Sequence, residues 1–197
     1  MLFKKPESQI HPVIDFPEEY PVFDFTKKED IRLAEISKFG IGRFLEKRTG
    51  MYSFPLFKGN RDIHIGIDFF APVGTSVYAF MEGQILYFGY LPSRGDYGHT
   101  IVTEHMWGGV PLYCLYGHLS AKSIRGKECG QAISRGEILG WVGAESENGG
   151  WTPHLHFQVS LEKPSAPDMP GVVSDDDLPW ALRRFLDPRI ILGPVYL

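Results

Sequence analysis

Between Ile63 and Val159 the chain is cut by glycine-containing turns into short runs rich in β-branched and aromatic residues. That cadence decides what it can fold into. Strands are expected over 63–70, 76–80, 83–90, 100–104, 111–116, 138–142 and 155–160, since runs this short bounded by turn residues suit strands better than helices. The turns fall at Pro72-Val73-Gly74, Met81-Glu82-Gly83, Ser93-Arg94-Gly95-Asp96, Trp107-Gly108-Gly109, Ser134-Arg135-Gly136 and Asn148-Gly149-Gly150. Ala121-Lys122-Ser123-Ile124 reads as one helical turn. The fold class is mainly β, with short helices near both ends.

Composition narrows the function. A net charge of −4 with no basic cluster excludes a general nucleic-acid binder. No run reaches the 18 or so apolar residues of a membrane span. The first residues lack the apolar core of a signal peptide, so the expected location is the cytoplasm, with a cell-envelope role requiring export by another route. The two cysteines, Cys114 and Cys129, make no disulfide framework and are expected as reduced thiols.

Three regions are expected: an arm with a helix over 1–60, a β domain over 61–160 and a loop with a helix over 161–197. Prolines 6, 12, 17 and 21 make the start an extended arm lying across another surface. Thr26-Lys27-Lys28-Glu29 has the pattern of a capping box opening a helix whose apolar side carries Ile31, Leu33 and Ala34. Arg43, Glu46, Lys47, Arg48 and Tyr52 precede a turn at Lys58-Gly59-Asn60. Such a charge run reads as a solvated face, although its place before His64 leaves a substrate-binding role open. Near the end, Asp175-Asp176-Asp177 before Leu178-Pro179 suits a helix N-terminus, with Leu178, Leu182 and Phe185 as its packing face and Asp187-Pro188 as its stop.

The chemistry is concentrated in histidines. His154 and His156, two apart on a strand, point to one face roughly 6–7 Å apart, so one imidazole can hold a metal while the other reaches what the metal binds. A catalytic zinc site takes three protein ligands and leaves a position open. The candidates are His64, Asp68, His99, His105, His118, His154 and His156, and spacing alone does not choose among them. On a straight strand His64 and Asp68 would lie about 13 Å apart, too far for one ion. The strand must therefore bend at Gly66 or lose regularity there.

Several segments in order are similar to the M23 family of zinc metallopeptidases, the lysostaphin/LytM-like group that cuts peptidoglycan peptides. They are His64-Ile-Gly-Ile-Asp68, Ala71-Pro-Val-Gly-Thr-Ser-Val-Tyr-Ala79, Gly83-Gln-Ile85, Tyr97-Gly-His-Thr-Ile-Val102, Tyr116-Gly-His118-Leu-Ser120, Gly136-Glu-Ile-Leu-Gly-Trp-Val-Gly143 and Pro153-His-Leu-His-Phe157. The resemblance covers 61–160. It implies a LytM-like antiparallel β-sheet domain and one Zn²⁺ per chain, with His64, Asp68 and His156 as metal ligands and His118 and His154 as the two catalytic histidines. It also implies hydrolysis of peptide bonds in Gly- or D-amino-acid-containing peptides, with a peptide or muropeptide as substrate. His99 stands where the family pattern continues with Asn; it and His105 are expected to be structural.

The flanks depart from the common core. Gly42–Arg48, Asn148–His154 and Leu186–Arg189 look more like a subgroup fused to aminotransferase-like enzymes in cytosolic proteins. On that reading the substrate is a small peptide-like metabolite, with Arg43, Arg48 or Arg61 available to clamp a carboxylate. Two further alternatives are a non-hydrolytic M23-like binding or activator module and a hydro-lyase whose zinc is held by His118, His154 and His156. Presence of all five functional positions argues against the activator module.

Overall fold

The computed structural model describes residues 10–57 and 61–196. The expected turn at Lys58-Gly59-Asn60 and the first nine residues of the arm lie outside them. Twelve strands are present among the described residues: β1 (Gly40–Gly42), β2 (Ile63–His64), β3 (Ile67–Phe70), β4 (Ser76–Tyr78), β5 (Gly83–Leu91), β6 (Gly98–Trp107), β7 (Val110–Leu119), β8 (Ala132–Ile133), β9 (Ile138–Trp141), β10 (His154–Ser160), β11 (Val172–Val173) and β12 (Phe185–Leu186). The main sheet runs β1-β3-β10-β7-β6-β5-β8, with β12 also on β10, and its pairings are antiparallel. Two small sheets, β2-β11 and β4-β9, complete the mainly β architecture.

The long β6-β7 hairpin closes through Gly108 and Gly109, both at positive φ (56° and 85°). Two such residues make the tight turn whose twist matches that of the strands. As anticipated, the 63–70 segment breaks at Ile65-Gly66, leaving β2 and β3 as separate strands. Residues 121–124 form a 3₁₀ turn. Strands β1, β8, β11 and β12 were not anticipated, because two or three residues carry too little periodicity to register.

Strand β10 is the keystone. Leu155, Phe157 and Val159 enter the main core with Ile67, Phe69, Ile101, Tyr116 and, from the arm, Val13 and Ile14. Alternation sends His154, His156 and Gln158 to the opposite face. A second core of Ile63, Ile65, Val102, Leu115 and Phe185 covers part of that side. The arm is tied to the core through His11 N–H to the Phe80 carbonyl (2.9 Å) and an Ile14–Val77 bridge. The tail is tied back by Phe44 N–H to the Tyr196 hydroxyl (3.0 Å).

Four local expectations are corrected. Helix α1 (Lys28–Ile36) starts without the capping box: Lys27 is its N-cap and no side chain caps it. The Thr26 hydroxyl donates instead to Asp24 (2.5 Å), whose carboxylate is the stronger nearby acceptor, and Asp30 reaches back to the Asp24 N–H (2.6 Å). Leu33 faces solvent, while Ala34 and Ile31 pack against Phe23, Phe25 and Phe70. The C-terminal helix α2 is only Leu178–Ala181, and Phe185 belongs to β12. Strand β3 pairs with β10 only as far as Phe157, so the edge beyond it is free and β12 fills it at Val159 and Ser160. Pro188 opens the one-turn α3 (Arg189–Leu192) and does not close α2. Cys114 (buried) and Cys129 (exposed) are unbonded thiols. No helix among the described residues is long and apolar enough to cross a membrane.

Candidate metal centre

Pairing on both sides of β10 assembles the site. His156 lies opposite Asp68 on β3 and opposite Gly117 on β7, which brings the next residue, His118, alongside. The β6-β7 register slips by one residue between the His99–Leu119 and Ile101–Tyr116 pairs, and His118 sits in that bulge with φ of 61°. A left-handed backbone at a non-glycine residue is costly and is retained where the surrounding structure demands it. Here it turns the imidazole into the cleft.

His64 Nε2, Asp68 Oδ1 and His156 Nδ1 form a triangle with sides of 3.0–3.1 Å. All three residues are buried, and each offers one ligand atom to the same point. Their spacing is close to the edge of about 3.3 Å expected for a tetrahedron built on zinc bonds of about 2.0–2.1 Å. The protons support the same reading. His64 Nδ1–H donates to the Arg43 carbonyl (2.9 Å), leaving Nε2 bare. His156 Nε2 contacts Gln158 Oε1 (3.1 Å), while the Gln158 amide donates to the Pro170 carbonyl (3.3 Å); that orientation makes Oε1 the acceptor and leaves His156 Nδ1 bare. Asp68 Oδ2 accepts from Arg48 Nη1 (2.7 Å), leaving Oδ1 to the triangle. Three electron pairs therefore face one point, which suits a cation.

The backbone leaves room for this. A Cβ at Gly66 would lie 2.5 Å from His156 Cε1, so only glycine lets the chain pass under that ring. The break in the strand also shortens the distance between His64 and Asp68 that a regular strand would impose.

His118 and His154 flank the triangle with ring centroids 4.2 Å apart. Each donates Nδ1–H to a carbonyl, of Asn148 and Thr152 respectively (both 2.7 Å), so each turns an unprotonated Nε2 away from that bond. Burial pushes both imidazoles below their usual range; at His118 the neighbouring His154 and His156 add to it, and at His154 the Asp68 charge opposes it. Burial also lowers His64 to about 4, with Arg48 acting in the same direction. At Asp68 burial works against ionisation, but the Arg48 guanidinium on Oδ2 outweighs it and holds the carboxyl well below its usual range. The two other candidate histidines sit elsewhere: His99 stacks on Tyr90 (4.3 Å), and His105 bridges Thr103 and the Glu82 carbonyl.

A cleft of about 370 Å³ opens over these groups, walled by Tyr52, Phe54, Phe57 and Trp151. Side chains between Phe25 and Phe57, with Arg61, thus form one side of the cleft. The solvated face expected there is corrected: Arg48 and Glu46 are 2% and 6% exposed and lie against the metal site. Arg43 and Arg48 are held by Glu46 and Asp68 and are not open carboxylate clamps, while Arg61 donates to the Leu56 carbonyl at the cleft wall. The sequence reading assigned no role to Gln158 or to Tyr97, whose hydroxyl lies 3.4 Å from His156 Nε2 and donates to Gln158 Oε1 (3.4 Å), and it offered Arg48 only as a carboxylate clamp for substrate, not as a partner of Asp68. Gln158 had a signal, since it continues the His-x-His alternation.

A mainly antiparallel sheet bearing a His-Asp-His triangle beside two neutral imidazoles defines a metallohydrolase type of site. The chain belongs to peptidase family M23, whose model matches residues 62–167. Over 99 residues it is 35% identical to the DD-carboxypeptidase/endopeptidase Mpg of Neisseria meningitidis serogroup B, covering 50% of this chain and 20% of that protein. It is 34% identical over 109 residues to the glycyl-glycine endopeptidase ALE-1 of Staphylococcus capitis, covering 55% and 27%. The chain thus spans well under a third of the length of these relatives. The catalytic domain of lysostaphin from Staphylococcus simulans aligns with a TM-score of 0.48 at 26% identity, over 82% of this chain and 96% of that one.

Proposed function

We propose that this protein is a zinc-dependent endopeptidase acting on peptidoglycan-type peptides that contain glycine or D-amino acids. The observation that carries the proposal is the convergence of three bare ligand atoms at 3.0–3.1 Å with two neutral imidazoles beside them. Relatives named as glycyl-glycine and DD-endopeptidases support the substrate class.

In this reading His64, Asp68 and His156 hold one Zn²⁺. Zinc bound there supplies Lewis acidity toward a carbonyl and lowers the pKa of coordinated water. The chain's own work is proton handling. His118 and His154 each present a basic Nε2; one accepts the proton of the attacking water, and that same proton, held on the adjacent pair of rings, is then delivered to the leaving amine while the imidazolium so formed stabilises the oxyanion. The Asn148 and Thr152 carbonyls hold the tautomers that make this possible and favour the imidazolium that forms. The aromatic walls position the peptide and exclude water from it.

The test is metal content by elemental analysis of the purified chain, followed by assay on muropeptides and pentaglycine. One zinc per chain with cleavage of either substrate is expected; a chain that binds zinc but cleaves neither would shift the reading to a small peptide-like metabolite.

A further inference from the structure

Arg48 lies outside the segment that matches the family, yet it is among the most buried side chains of the molecule. It is placed by an edge that forms only in three dimensions. Residues 45–48 run antiparallel to β2, with Leu45 N–H to the His64 carbonyl (2.9 Å), His64 N–H to the Glu46 carbonyl (3.0 Å) and Arg48 N–H to the Asp62 carbonyl (2.8 Å). Leu45 takes a left-handed backbone (φ 57°) to enter this edge, a conformation seldom used by a branched residue.

The guanidinium is engaged through both Nη1 and Nε and through its face. Nη1 donates to Asp68 Oδ2 (2.7 Å) and to the Tyr52 hydroxyl (3.1 Å), Nε donates to Glu46 Oε2 (3.0 Å), and the face lies 4.6 Å from the centre of the Phe25 ring. Glu46 is itself locked by Phe25 N–H (3.0 Å) and by Arg43. A Cβ at Gly42 would lie 2.7 Å from the guanidinium, so that glycine makes the space for it. The planar fork cannot swing away without leaving a buried carboxylate unpaired.

Asp68 has two oxygens, and only Oδ1 belongs to the triangle. We propose that Arg48 is a positioning residue of the metal centre, holding Asp68 by Oδ2 so that the carboxylate ligates through Oδ1 alone. The same edge supplies the Arg43 carbonyl that orients His64, so two of the three ligands are set by a segment outside the family core. Partners that orient a ligand in this way change metal affinity by about 10–100-fold when removed. The inference rests on the zinc reading of the site.

The test uses the full chain with Arg48→Met and Arg48→Lys. Zinc affinity is measured by competition with a chromophoric chelator, and the visible spectrum is recorded after loading with Co²⁺. Arg48→Met is expected to bind zinc at least tenfold more weakly, and its Co²⁺ bands to lose intensity as Asp68 turns to offer both oxygens. Arg48→Lys keeps the charge without the fork and is expected to recover part of the affinity; it decides the matter where Arg48→Met does not fold. Both variants binding zinc within twofold of the parent would overturn the proposal. Weaker binding with an unchanged Co²⁺ spectrum would overturn it as well, since Arg48 would then support the fold and not the carboxylate. A parent chain that binds no metal at all would instead refute the zinc reading itself.

Discussion

Gly66 passes directly beneath His156: a methyl group at position 66 would sit 2.5 Å from the Cε1 of that ring. Gly66→Ala therefore has to displace the His156 ring or the chain. Overpacking of this kind costs about 1–3 kcal/mol. The expected outcome is a lower thermal midpoint together with zinc binding weakened by an order of magnitude or more, read by calorimetry and chelator competition. Unchanged zinc binding would mean that the ring can relax elsewhere.

The two sets of histidines are expected to separate under mutation. Asp68→Ala and His156→Ala remove ligand atoms and should leave the purified chain without zinc. His118→Ala and His154→Ala should retain one zinc and lose activity by about 10²–10⁴-fold, the range for a positioned acid or base. Metal analysis beside a peptide-cleavage assay distinguishes the two. Retention of zinc in Asp68→Ala would favour a site built from His118, His154 and His156.

Acid sensitivity should have a component remote from the metal. His105 is buried, and burial lowers its imidazole from 6.5 to about 4. Between those values the unfolded chain binds a proton that the folded chain does not, so stability falls as pH drops from 6.5 towards 4 and is insensitive to this group above 6.5. The shift corresponds to a loss on the order of 3 kcal/mol. Urea titrations across that window should show a shallower decline for His105→Gln than for the parent. Parallel declines would show that His105 plays no part in the acid sensitivity.

The aromatic wall should govern substrate binding. Trp151 meets Tyr52, Phe54 and Phe57 at 5.5–6.3 Å between ring centroids, and its indole donates to the Asp96 carbonyl (3.2 Å). Trp151→Ala is expected to raise KM about tenfold with a smaller change in kcat, the pattern of lost ground-state contact. A fall in kcat at constant KM would instead tie the wall to the chemical step, through His118 at 6.4 Å.

What the sequence determined by itself is local. Strand alternation placed His154 and His156 on one face; Gly66 announced the break that lets His64 and Asp68 meet; the motif order identified the five residues that do converge. The first two follow from side-chain type and short-range geometry; the third rests on the family resemblance. The tertiary structure decided what depends on distant segments pairing. Arg48 reads as surface charge because a run of charged residues shows no sign of burial by itself; it is buried because residues 45–48 add an edge to β2, where Asp68 and Glu46 compensate its charge. Thr26 lost its capping role to a neighbouring carboxylate, and Phe185 left its helix for a free strand edge. For Arg48 and Phe185 a contact unavailable to the isolated segment outweighed its intrinsic preference, and such contacts exist only once distant strands lie side by side, whereas the Thr26–Asp24 contact is local.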